Sequence, residues 1–116
     1  IQYALTYPKR MPSRVDSLDF WEINSLTFEK PDTDTFKGLR FAYEAGKIGG
    51  TCPCIFNAAN EVAVEAFLNG KINFLDIYDI IDETMNRRKF LYDIDLETLI
   101  NEDIAARSIA KSLIEE

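Results

Sequence analysis

No histidine occurs among the 116 residues, and cysteine occurs only at positions 52 and 54. The first absence excludes a Ser-His or Cys-His nucleophile system built from this chain alone. Acid-base chemistry would fall to Asp, Glu, Lys or Tyr. The scarcity of cysteine excludes a structural zinc site, which takes four ligands, mostly Cys and His. A disulfide between Cys52 and Cys54, with only Pro53 between them, would be badly strained. Two reduced thiols at a helix start are expected instead, which suits a reducing cytosol. Positive charge is also in short supply: 13 Lys and Arg face 20 Asp and Glu, for a net charge of −7. That balance argues against nucleic acid and against an anionic membrane surface as partners. The apolar runs are far shorter than the roughly 20 residues a membrane-spanning helix needs. No G-x-G-x-x-G or Walker loop is present. The glycine-rich stretch "GGTCPC" lacks a preceding strand and carries a proline, so it reads as a helix-helix turn.

What is present is ordinary for a globular domain: 47% hydrophobic and 28% charged residues. The length suffices for one domain with a core. The first residue is Ile1, and the apolar spacing of Ile1, Ala4 and Leu5 is already that of folded protein. The expectation is a piece of a longer polypeptide.

The chain opens on a short helical turn, "IQYALTYP", which Pro8 should end. Lys9, Arg10 and Arg14 follow as a basic cluster, either a solvated loop or a contact to an anionic ligand. In "LDFWEINSLTFEKP", Leu26 and Phe28 alternate with polar neighbours. That pattern predicts a half-buried strand stopped at Pro31. One strand cannot stand alone, so its sheet should lie in missing sequence or in another subunit. Phe20 and Trp21 beside it suit a packed junction.

After Pro31 the period changes to about 3.6. A first long helix is expected after capping candidates Thr33, Asp34 and Thr35, with Leu39, Ala42, Tyr43 and Gly46 as its inner stripe and Gly49-Gly50 as its end. A second spans Thr51 or Cys52 to Gly70, with Pro53 in its first turn. A third begins at Asp76, with Asp79 as a reach-back residue and Leu75 and Ile80 as a staple. Its "NRRK" end (86–89) would complement the helix dipole. A single turn at Leu96–Leu99 precedes a last helix near Asn101, with Glu102 and Asp103 in its acidic first turn. The fold class expected is therefore mainly α: a small four-helix bundle, preceded by a short helix and one or two strands belonging to the sheet of a missing catalytic domain.

Candidate site residues are few. Asp95 and Glu97 are two carboxylates, fewer than a divalent-cation site usually needs. In "FNAANEVAVEAFLNG", Asn57 and Glu61 share a helix face and Asn60 lies nearby. Such asparagines could bind a ligand, or tie the helix to a facing element through their amide donors and acceptor. The structural role is the expectation.

Three stretches, in order, resemble one enzyme family: "LDFWEINSLTFEKPD", "GLRFAYEAGKIGGTCP" and "FNAANEVAVEAFLNGKINFLDI". With the terminal "DIAARSIAKSLI", they are similar to the C-terminal third of the 1-deoxy-D-xylulose 5-phosphate reductoisomerase family. The resemblance covers essentially the whole chain. It implies an NADPH-dependent enzyme of the non-mevalonate isoprenoid route that forms 2-C-methyl-D-erythritol 4-phosphate. It also implies a Mg²⁺ or Mn²⁺ ion, a homodimer and the bacterial cytoplasm. The family's G-S-T-G-S-I-G loop, its metal-binding D-S-E segment and its M-N-K-x-x-E element have no counterpart here, and Asp95-Leu96-Glu97 lies in the wrong region. The resemblance thus leaves catalytic and metal residues at none. It carries over one cofactor-side residue, Leu5, where the family often has methionine near the nicotinamide.

The resulting expectation is residues 1–31 as the end of a catalytic domain with its linker, and 32–116 as a helical C-terminal domain. The fragment would be structural and inactive alone, its partner the rest of the subunit. The alternative is a freestanding helical interaction module that pairs through its lone strand.

Overall fold

A computed structural model describes residues 1–115 and contains six helices. They are α1 (Gln2–Thr6), α2 (Phe20–Ile23), α3 (Gly38–Ile48), α4 (Cys52–Leu68), α5 (Asp76–Asn86) and α6 (Leu96–Glu115). The chain divides into two units, Ile1–Lys30 and Pro31–Glu116.

The second unit is a four-helix bundle around α4, which packs against α3, α5 and α6, while α5 also meets α6. The sequence of α4 explains its central place. Pro53 sits in the first turn, where a missing N–H costs nothing. Seven residues at three- and four-residue spacing, from Cys52 to Ala66, are buried. Five of the seven are Ala or Cys, so neighbouring helices approach closely. Larger side chains fill the space between: Ile55 and Ile81 are almost wholly buried, each contributing roughly 1.5–3 kcal/mol by removal from water. A Schellman motif ends α4. Gly70 adopts φ +68°, Lys71 N–H donates to Ala66 O at 2.9 Å, and Gly70 N–H donates to Phe67 O at 2.9 Å.

The helix termini depart from the sequence expectation in detail. Thr33, Asp34 and Thr35 cap nothing. Asp32 instead accepts from Asp34 N–H and Thr35 N–H, folding a turn before α3 begins at Gly38. The inner residues of α3 are Phe41 and Ala45. The expected stripe lies on the outer side, with Tyr43 65% exposed. At α5, Asp76 performs the reach-back assigned to Asp79, accepting from Asn73 N–H at 2.7 Å. Leu75 is exposed. Its staple role passes to Phe74, whose ring meets Phe67, Tyr78 and Phe36 edge-on. The turn at Leu96–Leu99 and the last helix are one continuous helix, because Asp95 caps it by accepting from Thr98 N–H at 2.8 Å. Glu102 and Asp103 therefore lie inside α6, beyond its first turn.

The first unit has no buried residue in either of its helices. Asp19 caps α2, accepting from Trp21 N–H at 2.8 Å, and Asn24 at φ +58° ends it. Residues 24–32 form neither helix nor strand. The expected strand at Leu26–Glu29 is thus absent from this chain by itself. A strand exists through its ladder of hydrogen bonds, and no partner strand forms among the described residues. Trp21 and Phe28 are about nine-tenths exposed, at 93% and 89%.

Candidate functional site

The helix 52–68 carries the polar residues that raised the possibility of a site. Asn57 donates its amide to Glu61 Oε1 at 3.1 Å. Glu61 also accepts from Arg107 Nη2 at 2.6 Å, and Arg107 Nε donates to Asp103 Oδ2 at 2.8 Å. The result is a chain of four side chains that fastens α4 to α6. Its effect on protonation follows: the Arg107 hydrogen bond, then that of Asn57, holds the Glu61 carboxyl below the usual carboxylate range. Hydrogen bonds to Asp103 and Glu61 hold the Arg107 guanidinium charged. Both Glu61 oxygens accept from members of the set, and Arg107 is shared between carboxylates of two helices, as in a structural tie. Asn60 is partly buried, and its side chain makes no hydrogen bond with a described residue. Of the two asparagines expected to pair within the bundle, Asn57 does.

A second tie was not legible beforehand. Arg88, expected to serve the helix dipole, instead grips Glu102 through Nε to Oε2 at 2.9 Å and Nη2 to Oε1. The Glu102 side chain is only 9% exposed. The third tie joins two loops: Thr51 N–H donates to Leu91 O at 2.9 Å, and Thr51 Oγ1 accepts from Leu91 N–H at 3.1 Å. These pairs span 14 and 40 positions, and no local pattern announces them. The Asn57–Glu61 contact, by contrast, follows from a shared helix face at i and i+4, a spacing that Asp103–Arg107 also has.

The remaining candidates offer no reactive group. Burial pushes the Cys52 thiol up. Burial first, and the carboxylates of Asp103 and Glu102 next, push the Cys54 thiol up as well. Both stay protonated near neutrality and are poor nucleophiles. Both are free, as expected, and Cys54 donates weakly to Leu99 O at 3.5 Å. Asp95 is spent on its cap. Among the described residues no three His, Cys, Asp or Glu come together as a metal site.

Leu5 lies on α1 in the first unit and is 82% exposed. The loop around it is closed by side-chain bonds. Gln2 Nε2 donates to Pro12 O at 2.8 Å, and Thr6 Oγ1 lies 2.8 Å from Lys9 O. Arg10, from the basic cluster, stacks on the Tyr3 ring at 4.5 Å. An apolar side chain held outward can offer a ligand only van der Waals contact.

A family model described as the DXP reductoisomerase C-terminal domain matches residues 1–109. The 1-deoxy-D-xylulose 5-phosphate reductoisomerase of Clostridium botulinum (strain Hall) is 54% identical over 107 residues, covering 92% of this chain and 28% of the relative. That of Clostridium novyi is 50% identical over 112 residues, covering 97% and 29%. The chain thus spans less than a third of the length of the curated relatives it matches. Among solved structures, the reductoisomerase from Zymomonas mobilis in complex with NADPH superposes with a TM-score of 0.87 at 41% identity, covering 99% of this chain and 30% of that one. A DOX-P reductoisomerase in complex with magnesium superposes with a TM-score of 0.83 at 37% identity, covering 98% and 31%. The chain belongs to the DXP reductoisomerase family and represents its C-terminal part.

Proposed function

We propose that this chain is the bracing C-terminal part of an enzyme that converts 1-deoxy-D-xylulose 5-phosphate to 2-C-methyl-D-erythritol 4-phosphate with NADPH, in non-mevalonate isoprenoid synthesis. The observation that carries the reading is the family match over residues 1–109. It is supported by the structure of a relative bound to NADPH and of another bound to magnesium. The chain's own chemistry fits a brace: its polar clusters bond one helix to another and its thiols are protonated. Residues 1–31 would complete the catalytic domain, and 32–116 would form the helical domain. Leu26–Glu29 would gain its ladder from the catalytic sheet and could add to a homodimer contact. Exposed Trp21 and Phe28 would be covered in the same event, which removes two large apolar surfaces from water.

In this reading the cation and the phosphate groups belong to the remainder of the subunit. Leu5 is the one residue of the chain placed against the cofactor, on its nicotinamide side. The enzyme would work as a homodimer in the bacterial cytoplasm, and no helix among the described residues is long and apolar enough to cross a membrane. Calorimetric titration of the isolated chain with NADPH, and separately with Mg²⁺, tests the division of labour. No saturable heat is expected in either case, and stoichiometric binding of either would contradict it. The freestanding-module reading has no observation in its favour, since the chain matches the C-terminal part of longer relatives.

A further inference from the structure

Residues 2–12 form a loop that closes on its own side chains, and Gln2 makes the closing bonds. Its amide nitrogen donates to two successive carbonyls, Pro12 O at 2.8 Å and Met11 O at 3.3 Å. Thr6, one turn on, places Oγ1 between Gln2 O at 3.1 Å and Lys9 O at 2.8 Å. Its one hydroxyl proton serves either carbonyl in turn. Arg10 covers Tyr3, and Tyr3 meets Tyr7 edge-on at 5.8 Å. Leu5 stands between these bonded positions with its side chain in solvent. Without a hydrophobic core beneath it, the turn depends on these few polar bonds for its shape.

We infer that Gln2 is a positioning residue for Leu5: its double bond to the Met11 and Pro12 carbonyls fixes the turn that presents the leucine to the cofactor. The inference rests on the reading of Leu5 as a nicotinamide-side contact. The physical argument is one of population. A contact residue on a turn that samples several conformations binds more weakly, by the fraction of time the competent one is present. Gln2 raises that fraction without touching the ligand.

The test uses the full-length polypeptide that carries this sequence, with Gln2→Ala, Leu5→Ala and the double variant, and NADPH as the varied substrate. Leu5→Ala should raise KM for NADPH. Gln2→Ala should raise it roughly two- to tenfold, the equivalent of one hydrogen bond, with kcat less affected. The double variant should be no worse than Leu5→Ala alone, because Gln2 acts through Leu5. Gln2→Glu keeps the size, loses the N–H donors and should behave like Gln2→Ala. Limited trypsin digestion at Lys9 and Arg10 supplies a readout independent of turnover, and Gln2→Ala should speed that cleavage. If Leu5→Ala raises KM while Gln2→Ala leaves both KM and cleavage unchanged, or the two effects add, the role of Gln2 is overturned and the reading of Leu5 stands. A silent Leu5→Ala overturns the reading of Leu5 and the inference together.

Discussion

Arg88, just past the end of α5, holds Glu102, in the second turn of α6, through two side-by-side hydrogen bonds at a nearly buried carboxylate. This pair sets how the last helix lies against the third helix of the bundle. Removing one member strands the other charge away from water. Arg88→Met or Glu102→Gln should therefore each cost roughly 2–4 kcal/mol, read as a lower urea midpoint. The double Arg88→Met, Glu102→Met variant should recover most of the loss, since an apolar pair of similar volume has no unpaired charge.

Two glycines should respond in opposite directions. Gly50 sits at φ +59°, and a Cβ there would collide with the Leu91 carbonyl. Gly50→Ala should break the bond between Thr51 and Leu91 and destabilise by roughly 1–3 kcal/mol. Gly46 lies inside α3, and a Cβ there meets nothing within 4 Å. Gly46→Ala should stabilise by roughly 0.5–1 kcal/mol. Thermal unfolding of both variants decides the matter, and a shared sign would contradict the local geometry.

Thr84 is fully buried in α5, and its hydroxyl has no hydrogen-bond partner among the described residues. An unpaired buried hydroxyl costs free energy without return. Thr84→Val keeps the shape and removes that atom. It should raise stability by about 1 kcal/mol, visible as a higher midpoint in urea, whereas a lower midpoint would mean the hydroxyl has a partner.

How much of this was readable from residues alone varies with the range of the interaction. The bounds of α4 follow from Pro53, the alanine spacing and Gly70, all local signals. The start of α6 lies earlier than the expected Asn101, because the Asp95 carboxylate caps the turn at Leu96–Leu99 and joins it to the last helix. The inner face of α3 was misjudged because Leu39 and Tyr43 carry apolar surface that the bundle does not use. Arg88–Glu102 and Arg107–Glu61 were invisible, since partners 14 and 46 positions apart meet only once the helices have packed. Leu26 and Phe28 do alternate as a strand should. Alternation states which face could be buried, and it supplies no partner.

Glu61 should make the bundle's stability depend on acidity. Its carboxyl is held below its ordinary value of 4.5, chiefly by Arg107 and then by Asn57. A carboxyl depressed on folding adds stability that is fully present above the unfolded value. That stability fades as pH falls through the folded value. Glu61→Gln should thus be less stable than the parent sequence at neutral pH, with the gap closing as the solution is taken below pH 4.5. Urea midpoints across that range check it, and a gap that widened in acid would have the wrong sign.

The central claim is that the chain identifies a reductoisomerase while leaving the chemistry to the rest of the subunit. NADPH oxidation with 1-deoxy-D-xylulose 5-phosphate and Mg²⁺, followed for this chain alone and for the full-length polypeptide, tests it most directly. The account predicts turnover by the full-length polypeptide and none above background by the chain. Turnover by the chain alone, or a full-length polypeptide inert toward this substrate, would contradict it.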